Sequence, residues 1–544
     1  MHKNFCEGKM TDNFLGNQPG GKRCLIVQTK FSTNSFWNYK EVCEITGAKY
    51  PAAPLGLLTL AALLPQNWEF KLIDENVEPL LDEHLKWADI VFSGGMLPQQ
   101  KSLLEFIKRA HSFNRIVVIG GADPTEQPDT YKEADFLVLG EGEVTVPMFL
   151  EAMKNGDRKG IFVSKERADM LKAVVPRYDL VRFQDYIMIG VQYIRGCPYS
   201  CEFCNIIELF GRVPRYKTTG QVIKELQSLY DLGHRGHIDF VDDNFIGNKD
   251  KTKELLLVIR DWSIEHNYPF YFSTEASINL ADDDELLALM KDVDFRYVFV
   301  GIETPEAETL AVSKKYQNVN KSIDDAVKKI MSYGIIVNGG YIIGFDSESP
   351  GIADNMISSI QSSGICMAML GLLYALPNTQ LSRRLESEGR LFQNASKEIT
   401  ESDIDQTTGG LNFITKKPRI EILNNYLRVI EHIYNPANYY KRIIYNGLNL
   451  KVDYKHKHTF RITMMYLRSF MKVCRQVGFN KQTGFHYWKM FFIILFRNTK
   501  AIEAAVNLAA MYIHFQKQKS YIVSSIGEMI KNSKENNAVS DFED

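Results

Sequence analysis

Residues Arg195–Ile206 read RGCPYSCEFCNI, with cysteines at 197, 201 and 204 in a C-x3-C-x2-C spacing. An apolar run, Ile189–Ile194, comes directly before them and suits a strand, so the triplet sits on a strand-end loop. The chain has eight cysteines in 544 residues, too few and too unevenly spread for a disulfide framework, and three within eight positions point to metal. Structural zinc takes four protein ligands, usually as two paired motifs, and no second Cys or Cys/His pair follows here. Three thiolates suit a four-iron cubane instead, leaving one iron without a protein ligand and open to a chelating small molecule. Cys366 and Cys474 stand alone within apolar patterns and read as buried structural cysteines.

Outward from the triplet, residues 185–390 alternate apolar runs with helical patterns. The expected strands are Ile189–Ile194, Ile238–Val241, Tyr271–Thr274, Val298–Ile302, Val337–Gly344 and Met369–Tyr374. Six strand-helix units are too few to close an eight-stranded barrel but suit a partial (β/α)6 barrel with an open lateral face. Polar residues gather where these strands end: Asp242, Asp243 and Asn244, then Glu275, Glu303 and Asp346. Barrels build their reaction centres at that carboxyl end.

Upstream, residues 22–170 carry the alternation of a doubly wound parallel α/β domain, with strands expected at Cys24–Gln28, Phe70–Asp74, Ile90–Ser93, Ile116–Ile119 and Phe136–Leu139. Three strand ends are rich in glycine: Ser93, Gly94 and Gly95; Gly120 and Gly121; Gly140, Glu141 and Gly142. Open α/β sheets bind ligands beyond such ends, although tight strand-to-helix turns use the same residues.

Downstream, residues 410–530 form a mostly helical domain of opposite charge. Lys441 to Ser520 holds fifteen Lys or Arg against Asp453 and Glu503, whereas the whole chain carries a net −2. Tyr466, Phe470, Phe479, Phe485, Tyr487, Trp488, Phe491 and Phe492 are interleaved with them. That composition suits peripheral contact with an anionic membrane surface or an amphiphilic substrate, or else a solvated basic domain with an aromatic core. Nucleic acid ranks lower. The first 21 residues read as a flexible N-terminus without a secretory signal, and 531–544 as a polar, disordered tail. The longest apolar pieces, Pro54–Leu64 and Met490–Phe496, fall short of the ~20 residues that cross a bilayer. The expectation is a cytoplasmic chain, held peripherally on the inner face of the membrane. Hydrophobic residues at 45% and charged residues at 24% exclude a wholly disordered or collagen-like chain.

With Phe203 before its last cysteine, the triplet resembles the radical S-adenosylmethionine (SAM) superfamily. The resemblance implies that Cys197, Cys201 and Cys204 hold a [4Fe-4S] cluster whose open iron binds SAM. An electron from a low-potential donor such as ferredoxin or flavodoxin would then cleave the cofactor to a 5′-deoxyadenosyl radical. It further implies that FVDDN at Phe240–Asn244 receives the methionine amino group and that Glu303 in GIET contacts ribose. Gly339–Asp346, including Gly344, and Leu372–Thr379 would flank adenine, and Glu275 joins the candidate cofactor contacts. The commonest Gly-Gly-Glu form is absent from FVDDN, so strand-end capping stays open for Asp242 and Asp243.

The domain before the barrel is similar to a cobalamin-binding domain, which makes its glycine-rich strand ends, with Ser93 and Glu141, candidate cobalamin contacts. The Asp-x-His-x-x-Gly motif that supplies a cobalt ligand is missing: His84 follows Asp82, but Trp87 stands where the glycine would be. Cobalamin is therefore expected without a histidine from the protein, unless the domain has lost the cofactor. CNIIELFGRVPRYKT, DDNFIGNK, TEASINLADD and VFVGIETP, followed by helices from GLNF to IYNPANYYKR, resemble the hopanoid C-2 methylase and bacteriochlorophyll methylase group. This implies methylation of an unactivated carbon on a bulky, apolar or lipid-like small molecule that enters through the open side of the barrel. A non-methylating oxidation, cyclisation or rearrangement is the alternative, and a non-enzymatic iron-sulfur protein ranks below it. An RNA methylthiotransferase needs three further cluster cysteines, where the first domain offers Cys24 and Cys43.

Overall fold

The computed structural model describes residues 21–32, 34–392, 407–457 and 460–540; the N-terminal stretch read as flexible lies almost wholly outside them. Strands β1 (Arg23–Gln28), β2 (Tyr50–Ala52), β3 (Glu69–Asp74), β4 (Ile90–Gly94), β5 (Ile116–Gly120), β6 (Phe136–Val138) and β7 (Gly160–Phe162) come first. All but β2 form one parallel sheet in the order β3-β1-β4-β5-β6-β7. β4 is buried along its whole length because helices cover both faces, as a parallel sheet requires. Apolar cores on the two faces hold Leu103, Ile107 and Ala110 on one side and Leu57, Ala61 and Phe149 on the other. The strand order reverses at β1, with β3 added on one side and β4 to β7 on the other, which makes this a doubly wound domain.

Strands β8 (Tyr186–Val191), β9 (Ile194–Arg195), β10 (Arg215–Tyr216), β11 (Gly236–Phe240), β12 (Phe270–Ala276), β13 (Phe295–Glu303), β14 (Ile336–Ile343) and β15 (Ala368–Leu372) follow. The second sheet runs β15-β14-β13-β12-β11-β8-β2, parallel throughout and open at both edges. It is the expected six-stranded half-barrel, extended by β2 from the first domain's stretch of sequence. That extra strand was not expected. It is three residues long and contains Pro51, which only an edge position tolerates. The short antiparallel pair β9–β10 stands apart and brackets the cysteine loop.

The helices Arg419–Ile433, Pro436–Asn449, Phe460–Val473, Gly484–Arg497 and Ile502–Ser540 pack against the barrel and share one apolar core with it. Polar pins fix the contact. Buried Arg296 of β13 reaches Asp294 at 2.9 Å and the His456 carbonyl at 3.3 Å, and the Tyr434 hydroxyl donates to the Ala368 carbonyl at 2.6 Å. His514 bonds Glu41 at 2.9 Å and the Phe36 carbonyl at 3.1 Å, tying the last helix to the helix Lys40–Thr46. Helical backbone continues past Lys531, where the composition turns polar, to Ser540; residues 541–544 lie outside the described residues. No helix among the described residues is long and apolar enough to cross a membrane.

Candidate functional site

The cysteine loop leaves β9 and is held from three sides. Asp242 and Asp243 follow the end of β11. One Asp242 oxygen accepts the N–H groups of Tyr193 and Ile194 at 2.7 and 2.9 Å, and Asp243 accepts that of Gly196 at 2.7 Å. Gly196 has φ +93°, and a side chain there would meet the Gly211 carbonyl at 2.9 Å, so glycine is required where the strand turns into the loop. Within the loop, the Glu202 N–H donates to the Ser313 carbonyl at 3.0 Å while its carboxylate pairs with Arg384 at 2.9 Å. Phe203 packs edge-on against Phe345, with centroids 5.8 Å apart.

Burial pushes all three thiols up, Cys204 to about 12. Lys315 opposes this at each of them: its buried ammonium sits 2.5 Å from Glu303 and close enough to favour the thiolates. The Gln317 amide donates to the Cys201 sulfur at 3.6 Å. The three sulfurs therefore share one enclosed space. Three thiols on one eight-residue loop, with no fourth protein ligand, fit a four-iron cluster with one open iron better than a four-ligand zinc site.

Glu303 has φ +66° at a register shift between Gly301 and Glu303, a bulge that turns its carboxylate toward the site. Gly301 is bare for a reason: a Cβ there would lie 2.7 Å from the Lys315 Nζ. Lys315 was missed in the sequence, where a lone lysine after a short helix carries no signal. Its burial beside a carboxylate and three thiols marks it.

Several expected cofactor contacts are already occupied by the protein itself. The Asp242 and Asp243 carboxylates serve the backbone as described, so both are positioning residues of the loop; burial raises Asp242 well above the usual range and Asp243 to about 6. Its second oxygen leaves Asp242 one buried atom without a partner. Asn244 exchanges bonds with Ser277, Ser93 donates to the Val27 carbonyl at 2.7 Å, and the Gly344 N–H donates to Glu348 at 2.8 Å. Glu141 departs furthest from its expected role. Its carboxylate is clamped by Arg195 at 2.8 Å and Arg215 at 2.8 Å, with only 1% of the side chain exposed, so it locks the first domain to the β9–β10 pair.

The glycine-rich ends of β4, β5 and β6 point toward the barrel: Asn205 of the cysteine loop bonds Glu126, just past β5, at 2.9 Å. Close packing explains Gly94, Gly120 and Gly121, since a Cβ on each would meet neighbouring backbone at 2.7–2.8 Å. Gly140, with φ +83°, faces open space; Gly95 and Gly142 abut the side chains of Gln99 and Leu63. His84 accepts the Leu81 N–H at 3.2 Å, and His111 bonds Asp135, which precedes β6. Neither histidine stands at these carboxyl ends, and among the glycines there only Gly140 leaves open space beside its backbone.

Beneath the cysteine site, the barrel lumen is a cavity of about 1630 Å³. It runs from Glu275 at the carboxyl end of β12 down to His237, Tyr271, Tyr297 and Asn338 near the amino ends of their strands. Apolar groups such as Phe36, Phe299, Met367, Phe470 and Met511 form most of its wall. A polar chain crosses it: His237 meets the Ser273 hydroxyl at 2.7 Å, and Ser273 donates to Asp239. Glu275 is exposed to the cavity though ringed by protein; desolvation by the surrounding protein, with repulsion from Asp239 and Asp243, raises its carboxyl to about 8, a shift that solvent in the cavity moderates.

A parallel half-barrel whose first strand feeds a three-cysteine loop, behind a doubly wound sheet, defines the class of radical SAM enzymes. Comparison with known proteins agrees. Residues 191–357 match the family model of the Radical SAM superfamily, and residues 379–527 match a domain of unknown function, DUF4070. An uncharacterized methyltransferase of Synechocystis sp. is 40% identical, covering 94% of this chain and 94% of that protein. The hopanoid C-2 methylase of Rhodopseudomonas palustris is 36% identical over 69% of this chain and 72% of its own length. The structure of OxsB, a cobalamin-dependent S-adenosylmethionine radical enzyme with aqua-cobalamin bound, matches with a TM-score of 0.58 at 15% identity, covering 94% of this chain and 81% of that one, which shows a shared fold. The chain thus belongs to the radical SAM superfamily, within the methyltransferase group that includes hopanoid C-2 methylase.

Proposed function

We propose that the protein methylates an unactivated carbon of a bulky, apolar or amphiphilic small molecule, using a [4Fe-4S] cluster, SAM and cobalamin. One observation carries the reading: the three-cysteine site sits over a lumen large and apolar enough for a polycyclic or long-chain body. The names of its relatives and the cobalamin bound to its structural neighbour support it. When bound, the cluster would supply the electron that breaks SAM and the cobalamin would supply the methyl group.

Cys197, Cys201 and Cys204 would hold the cluster, and the backbone pins from Asp242 and Asp243 keep the loop in register. Lys315 is placed to receive a carboxylate and Glu303 a hydroxyl or ammonium, which suits the polar ends of SAM. The open backbone at Gly140, at the carboxyl end of β6, would face the cobalamin. Apolar lumen walls exclude water from the reacting carbon. With its proton retained at neutral pH, Glu275 can donate a hydrogen bond to a substrate oxygen and orient the apolar body below the site. A low-potential electron donor completes the system, and the basic C-terminal helices provide peripheral membrane contact.

Each methyl transfer would consume two SAM molecules. Anaerobic turnover with a lipid extract from cells lacking the protein should give 5′-deoxyadenosine and S-adenosylhomocysteine in equal amounts, with a product heavier by one methylene. Deoxyadenosine without the homocysteine product, and an altered compound without the mass gain, would establish a non-methylating radical enzyme instead.

A further inference from the structure

The lumen does not end blindly at the amino end of the barrel. Met464 and Met465, on the helix Phe460–Val473, line the cavity and are also 37% and 40% exposed, so they form a mouth. Phe470 of the same helix lines the cavity too. From it a chain of rings leads outward. Phe470 lies 5.7 Å from Phe491, Phe491 lies 5.7 Å from Phe492, and Phe492 stacks on Phe496 at 6.3 Å. Trp488 stacks on Phe492 at 6.0 Å and reaches Phe479 at 6.3 Å. The far ends of this row are bare: Phe479 is 77% exposed and Phe496 82%. Around it, Arg475, Lys481, Lys489 and Arg497 are exposed and have no acidic partner among the described residues.

A contiguous row of exposed rings costs free energy in water, and a monomer that keeps one has a use for it. Rings rimmed by free cations are the composition of an interfacial face, with the rings among acyl chains and the cations at anionic headgroups. RNA would also accept the cations and could stack on rings. It would not account for the row running without a break into an apolar cavity.

We infer that the helices Phe460–Val473 and Gly484–Arg497 dock on an anionic bilayer and that the aromatic row passes an amphiphile through the Met464–Met465 mouth into the lumen. Loading would then occur at the amino end of the barrel, opposite the cysteine loop, and not through the open side that the sequence suggested. This rests on the reading of the lumen as a site for an apolar substrate.

The full-length protein is mixed with vesicles of phosphatidylglycerol or phosphatidylcholine whose acyl chains are brominated. Phosphatidylglycerol vesicles should bind and quench tryptophan fluorescence, and Trp488→Phe should remove most of the quenching without removing binding. Phe492→Ser/Phe496→Ser and Lys481→Glu/Lys489→Glu alter only surface positions and should each weaken vesicle binding about tenfold or more. The same samples are given the fluorescent polyene alcohol of parinaric acid, either from solution or preloaded in vesicles. Uptake from solution should be unchanged in these variants, while transfer from vesicles slows. Vesicle binding that is absent or unaffected by the variants, or binding of an RNA oligonucleotide in preference to vesicles, would overturn the docking face. Normal vesicle transfer in the two-Phe variant would overturn the aromatic route. No uptake of the alcohol from solution would count against the apolar lumen itself, and so against the proposed function.

Discussion

Replacing Glu141 with Gln tests whether the first domain is locked to the cysteine loop by charge. The carboxylate is almost wholly buried and bonds Arg195 at 2.8 Å and Arg215 at 2.8 and 2.9 Å. After substitution Arg195 keeps Glu143 at 3.0 Å and Gln192 at 2.9 Å, so its charge stays compensated. Arg215, 19% exposed, keeps the Ala168 and Phe210 carbonyls at 2.7 and 3.0 Å and loses its one bonded carboxylate, with Asp243 left as the nearby acid. Breaking a buried pair from one side costs ~3–5 kcal/mol, but Arg215 is partly exposed with Asp243 near it and glutamine retains one acceptor oxygen, so the loss falls below that range, at ~2–3 kcal/mol. Because Arg195 adjoins Gly196 and Cys197, local opening of the loop should become easier by that amount, about thirtyfold or more in exchange rate. Hydrogen exchange measured by mass spectrometry on the segment 195–216 reads this directly, and iron content after anaerobic reconstitution should fall with it. Glu143→Gln should do less, since Arg195 then keeps Glu141. Exchange within about threefold of wild type, with full iron content, would refute the lock.

Lys315→Met leaves Glu303 buried without its ammonium and should weaken SAM binding about tenfold or more, with partial recovery in Lys315→Arg; equal affinity measured by equilibrium dialysis would remove Lys315 from the site. The Glu275 carboxyl is raised from 4.5 to about 8, so the folded state holds a proton that the unfolded state has lost over that range. Because Glu275 is exposed to the cavity, solvent screens part of this, so stability should fall modestly as pH rises from about 4.5 to about 8 and Glu275→Gln should flatten the decline; identical pH profiles in thermal unfolding would contradict it. Cobalamin should bind to the first domain, and paramagnetic resonance of its Co(II) form should show no nitrogen ligand from the protein; a histidine signal would overturn the reading of His84 and His111.

The central strands of both sheets were legible because each is a short apolar run bounded by polar or glycine turns, and parallel sheets bury such runs on both faces; the three-residue edge strands β2 and β7 were not, being too short to show a pattern. The cysteine loop was legible because three thiols in eight positions have few other uses. What stayed hidden depends on distant partners. Glu141 and Arg195 are 54 residues apart, and nothing local to GEGE says that its glutamate will meet two arginines. Lys315 becomes notable only when Gly301 leaves room for it over β13. Ser93, Asp242 and Asn244 were rightly located at strand ends, but spacing does not distinguish a side chain that waits for a ligand from one that bonds its own backbone. The mouth at Met464 was hidden for the same reason, since the helix that frames it lies far from the barrel in sequence.

If Cys197, Cys201 and Cys204 hold the radical-initiating cluster, SAM cleavage depends on each of them. The most direct test is 5′-deoxyadenosine formation by anaerobically reconstituted protein given SAM and a strong reductant. Wild type and Cys366→Ala should form it, since Cys366 is buried away from the loop, and Cys201→Ala should not. Deoxyadenosine formation retained in Cys201→Ala would contradict the account.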